Sequence, residues 1–162
     1  MQRFDLTQKD IEQIQNNDLS IEYWYFQLGV GYTYEFLPNG IQFRLPYEKI
    51  GPCFWIEIEN TIRHFICSNG EPRTWVKELL EGDIRDLIIN IVTALTSRFD
   101  VGLGIVIPVV AIILKNGMLN FCSIQQEENA DVDIKCVARY ISTVIGGYGV
   151  GREIIEEVMK AQ

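Results

Sequence analysis

The spacing of apolar residues changes character near Pro72. Upstream it reads as strands. Residues 21–28 (IEYWYFQL) are dense in the aromatic and β-branched side chains that suit a pleated surface. The run is interrupted at Gly29 and Gly31 and resumes over 32–37. Asn39-Gly40 then offers the positive φ angles of a tight hairpin before 41–45. Phe54, Ile56 and Ile58 alternate with Trp55, Glu57 and Glu59, a period of two. Residues 62–67 (IRHFIC) are placed to pair with them, and 68–72 close the region. Short connections predict an antiparallel sheet of four or five strands.

Downstream the period becomes helical. Val76, Leu80, Ile84, Leu87, Ile91 and Leu95 recur every three or four residues, with a break at Gly82-Asp83 where Asp83 caps the second half. Ile134, Val137, Ala138, Ile141 and Ile145 repeat the stripe, and a last helix is expected over 152–160. A short helix also opens the chain, with Thr7 and Asp10 as a capping box and Leu6 and Ile11 as a hydrophobic staple. Residues 105–124 admit two readings: a helix opening at Pro108 and ending at Lys115-Asn116-Gly117, or a hairpin turning on Asn116-Gly117. The helix is preferred. The expected fold is α+β in a single domain over 1–162. A sheet from about 20–67 is packed on one face by helices from about 73–160.

Composition narrows the class. With 48% hydrophobic and 22% charged residues, the 162-residue chain is globular rather than disordered. Its net charge is −8, and Lys and Arg form no cluster, so direct nucleic-acid binding is not expected. An acidic surface favours a protein partner with a basic surface. Residues 1–10 lack an apolar core and do not read as a secretory signal, which points to the cytoplasm. The longest apolar run, 101–114, is shorter than the roughly 20 residues that span a bilayer. No constitutive membrane anchor is therefore expected, although conditional insertion of this run is a third-ranked reading. Cys53, Cys67, Cys122 and Cys136 match no zinc spacing and are expected as buried free thiols, with no metal and no cofactor.

Candidate chemistry is sparse. His64 is the one histidine, and the familiar nucleophile, zinc-protease and phosphate-loop motifs do not occur. Gly147, Gly149 and Gly151 before Arg152 resemble a phosphate-binding turn at a helix N-terminus. Here, however, a helix precedes them, and Glu153, Glu156 and Glu157 would repel a phosphate, so a hinge explains them more simply. Glu127, Glu128, Asp131 and Asp133 gather carboxylates without the ligand order of a calcium loop. Tyr23, Trp24, Tyr25, Tyr34 and Trp55 put aromatic area on both sheet faces, and the uncovered face is suited to recognition.

The leading expectation is thus a non-catalytic protein-binding module, for example an acidic inhibitor or immunity-type protein. Its contacts would be those aromatics together with Glu127, Glu128 and Asp131. The alternative is a small enzyme or ligand-binding domain using the 146–151 loop, Arg152 and His64.

Overall fold

The computed structural model describes residues 6–37, 45–123 and Cys136. Among these the chain is mostly helical, which overturns the α+β expectation. The helices are α1 (Gln8–Gln15), α2 (Ile21–Phe36), α3 (Tyr47–Ile66), α4 (Thr74–Leu80), α5 (Ile84–Phe99), α6 (Leu103–Asn116) and α7 (Met118–Ser123). Between α3 and α4 lie two strands of two residues each, β1 (Cys67–Ser68) and β2 (Glu71–Pro72). They pair antiparallel with Cys67 opposite Pro72. Asn69 (φ 55°) and Gly70 (φ 79°) form the tight turn between them. The hairpin expected at Asn39-Gly40 lies outside the described residues.

The stretches expected as strands are helical for identifiable reasons. Ser20 caps α2 by accepting a hydrogen bond from the Tyr23 N–H at 3.1 Å. Helix α2 is then layered between α3 and α6, so it needs apolar residues on two sides and shows no polar stripe. Trp24, Leu28 and Tyr32 are buried at four-residue spacing. In α3 the buried residues Ile50, Phe54, Ile62 and Ile66 keep the same helical row. Trp55 is buried and Ile56 is exposed, the reverse of what a strand alternating at 54–59 requires.

Glycine lets the layers approach. Gly29 and Gly31, about 200° apart around a helix, meet different neighbours. A Cβ on Gly29 would lie 3.0 Å from the Gly51 nitrogen of α3, and one on Gly51 would lie 2.7 Å from the Tyr25 carbonyl carbon. A Cβ on Gly31 would lie 2.6 Å from the Gly104 carbonyl carbon of α6. Pro108 has no N–H to donate to that Gly104 carbonyl, so the group is left facing α2. Around these contacts Tyr32, Phe36 and Phe54 pack ring against ring, with Tyr32 and Phe54 centroids 4.6 Å apart.

Other local expectations hold. Thr7 and Asp10 form the capping box of α1, and Ile11 and Ile14 are buried. Asp83 caps α5 by accepting from the Arg85 N–H, and Gly82-Asp83 separates α4 from α5. The preferred helical reading of 105–124 holds at its end, Gly117 (φ 88°), but not at its start: the helix opens at Leu103, and Pro108 lies inside it rather than at its first turn. Helix α6 has no polar face because it is covered by α1, α2, α5 and α7. No helix among the described residues is long and apolar enough to cross a membrane.

The cysteines are not free thiols. Cys53 is bonded to Cys136 and Cys67 to Cys122, with Cα–Cα distances of 5.4 and 5.5 Å that suit disulfides. Their sequence separations of 83 and 55 explain why local spacing did not reveal them.

Candidate functional site

The last turns of α3 and α5 and the start of α4 enclose a cleft of about 480 Å³ that is open to solvent. Thr61, His64 and Phe65 reach it from α3, because positions three and four apart share a helix face. The β1–β2 turn reverses the chain and delivers Arg73 and Trp75, and α5 contributes Arg98 and Phe99.

Three aromatic rings form its apolar part. Phe65 stands 5.7 Å from both Trp75 and Phe99, centroid to centroid, in tilted and edge-to-face contact respectively. Two guanidinium groups form its charged part. Arg73 donates through Nε and Nη2 to the His64 carbonyl, at 3.2 and 2.7 Å, which satisfies an end carbonyl of α3. Arg98 lies over the Phe99 ring at 5.3 Å. The ion pairs among the described residues are Arg63–Glu59 and Lys77–Glu71, so neither Arg73 nor Arg98 has a carboxylate within 4.0 Å there. In a chain of net charge −8, two guanidinium groups without such carboxylates converge on one aromatic cleft beside the only histidine.

Arg63 points the other way, into the protein. It is 5% exposed and donates to the Phe121 carbonyl (3.0 Å), Asn60 (2.8 Å) and Glu59 (3.0 Å). Its guanidinium also lies 4.7 Å from the Phe121 ring centre. That network is structural: it joins α3 to α7. A smaller recess of about 260 Å³, between Ile14, Ile84, Leu114 and Lys115, carries one charge and no aromatic ring. No cluster of metal-ligating side chains occurs among the described residues.

The residues singled out from sequence do not assemble into one surface. Trp24 and Trp55 are buried at 2% and 6% exposure, and Trp55 packs against Phe121. Tyr23 and Tyr25 are half-buried, and Tyr34 is 60% exposed on α2. The aromatic sheet face proposed for recognition disappears with the sheet. His64 alone lies in the cleft. Glu127, Glu128, Asp131, Gly147, Gly149, Gly151 and Arg152 lie outside the described residues. Sequence reasoning missed Phe65, Arg73, Trp75, Arg98 and Phe99. The available signal was an arginine within two residues of an aromatic at the α3–α4 junction (Arg73, Trp75) and at the end of α5 (Arg98, Phe99).

Comparison with protein-family models, curated proteins and solved structures gave no match.

Proposed function

We propose that the protein is a non-catalytic protein-binding module that receives an acidic anchor of its partner in the cleft between α3, α4 and α5. The observation that carries this reading is the convergence of Arg73 and Arg98 with Phe65, Trp75 and Phe99. Tryptophan and arginine are over-represented among residues that dominate binding energy, and arginine holds carboxylates through paired hydrogen bonds. An open cleft admits a side chain or two from a larger body, whereas small molecules favour enclosure. The overall charge of −8 attracts a partner whose wider surface is basic, as expected from composition. The cleft then selects an acidic residue within that surface. The cytoplasmic setting is not carried into this reading, because the described structure has no free cysteine.

Trp75 provides the test, since the other two tryptophans are buried. Lysine-rich peptides bearing Asp or Glu beside Phe or Leu are titrated while its fluorescence is followed, with amide (Asn or Gln) peptides as controls. A saturable change is expected for the carboxylate peptides, weakened by amide replacement and by Arg98→Glu. No saturable change with any peptide, or equal response from the Arg98→Glu protein, refutes the reading.

The ligand-binding alternative keeps one supporting observation, the position of His64 in a cleft whose volume falls within the usual range for small-molecule sites. A melting-temperature rise with nucleotides but not with acidic peptides would favour it. The third reading, conditional membrane insertion of 101–114, gains no support: the 14 residues of α6 span about 21 Å, short of a hydrocarbon core of about 30 Å.

A further inference from the structure

The C-terminal end of α3 is tied to α7 by two links of different kinds. One is the Arg63 hydrogen bond to the Phe121 carbonyl, and the other is the Cys67–Cys122 disulfide, four residues past Arg63 on one segment and one residue past Phe121 on the other. Cys67 and Cys122 are both buried. Cys67 also sits between the two walls of the cleft. It follows His64 and Phe65, and it pairs across the β1–β2 ladder with Pro72, the residue before Arg73. The Arg73 N–H donates to the Ile66 carbonyl at 2.9 Å, so the backbone on both sides of Cys67 carries the cleft.

We infer that the Cys67–Cys122 disulfide is the clamp that sets the cleft, so that recognition is confined to the oxidised chain. Reduction removes the covalent tie at the junction where α3 ends and the strand pair begins. The cleft then loses its covalent anchor to α7, and its α3 and α4 walls are left held together by the Arg73 hydrogen bonds to the His64 and Ile66 carbonyls, the two-residue strand pairing and the Phe65–Trp75 contact. Formation of the bond requires a disulfide oxidant, either a small molecule or a thiol oxidoreductase. One cysteine thiolate attacks a sulfur of the oxidant and displaces a thiolate. The other cysteine thiolate attacks the mixed disulfide and releases the second. Two electrons pass to the oxidant, and the two cysteine protons end on its departing thiolates. A dithiol reverses the sequence.

Because this inference rests on the cleft as the binding site, the test reads the order of the cleft with no ligand present. Hydrogen–deuterium exchange is measured over 61–77 in the native protein and in the Cys67→Ser/Cys122→Ser variant. A Cys53→Ser/Cys136→Ser variant serves as the comparison, and mass after native alkylation reports free thiols. Expected are no reactive thiols in the native protein and exchange over 61–77 about tenfold faster in the first variant, with less than about a twofold change in the second. Reactive native thiols, or 61–77 exchange unchanged in the first variant, overturns the inference. So does loss of the whole helical circular-dichroism signal in that variant, because the bond would then be a general staple. Failure of peptide binding with the expected exchange pattern would sink the binding reading alone.

Discussion

Gly31 and Gly104 meet backbone to backbone, so close that a Cβ on Gly31 would lie 2.6 Å from the Gly104 carbonyl carbon. The neighbour is main chain and cannot rotate away. Gly31→Ala is therefore expected to lower stability by about 2–3 kcal/mol, the usual cost of overpacking a filled core. Gly82→Ala is the control. Its Cβ would meet nothing closer than the Leu79 carbonyl at 3.7 Å, so a change within about 1 kcal/mol is expected. Urea denaturation of the two variants gives the comparison.

Arg63 and Glu59 are unequal partners. The arginine side chain is 6% exposed and the carboxylate 30%, so the carboxylate can be rehydrated when its partner is removed. Arg63→Ala also strips the Phe121 carbonyl of its donor and is expected to cost about 3 kcal/mol. Glu59→Gln should cost less than about 1 kcal/mol. Arg63→Lys should recover less than half of the loss, since an ammonium cannot reproduce the fork of donors. Thermal melts of all three decide whether burial of the guanidinium dominates.

The sequence disclosed local features of the fold more readily than global ones. The Thr7 and Asp83 caps, the break at Gly82-Asp83 and the α5 stripe of Leu87, Ile91 and Leu95 were legible because each depends on near neighbours. Helix α2 was not. Packed on two sides, it selects aromatic and glycine residues that in isolation resemble an interrupted strand. Helix α3 misled through an accident of spacing at 54–59, where exposed Ile56 completed an alternation that tertiary structure does not use. The cleft was illegible beyond His64, because its residues come from three helices brought together by the fold.

Salt should separate the two halves of the cleft. Between about 0.1 and 1 M salt the screening length falls from about 10 to 3 Å, so binding of a carboxylate peptide is expected to weaken several-fold. Trp75→Ala should weaken binding throughout that range, since ring contact is not screened. A salt series of fluorescence or calorimetric titrations on both proteins checks this. Equal salt slopes for carboxylate and amide peptides would contradict the role given to Arg73 and Arg98.

Tyr25 provides an alkaline signature. Burial chiefly, then the nearby charges of Glu59 and Glu22, raise its pKa above the ordinary 10.0. The folded state thus holds the phenol proton more tightly than the unfolded chain does. The stability this contributes is fully present below pH 10.0 and is lost as pH rises through the higher folded value. Tyr25→Phe is expected to flatten that loss, measured as the melting temperature between pH 9 and 11 (roughly the tyrosine range). Tyrosinate absorbance should show one phenol fewer titrating late.

The two sulfur bridges are nested, with 67–122 lying wholly inside the span closed by 53–136. Once the inner ring exists, the path from Cys53 to Cys136 no longer runs through the whole intervening chain. It shortens to the arms 53–67 and 122–136, joined across sulfur. Ring-closure entropy grows with the logarithm of path length, so the outer bridge closes at lower cost after the inner one. The effect is reciprocal, because the outer bridge likewise shortens the path from Cys67 to Cys122, so each bridge eases closure of the other. A chain lacking Cys122 loses one bridge outright and makes the other harder to form.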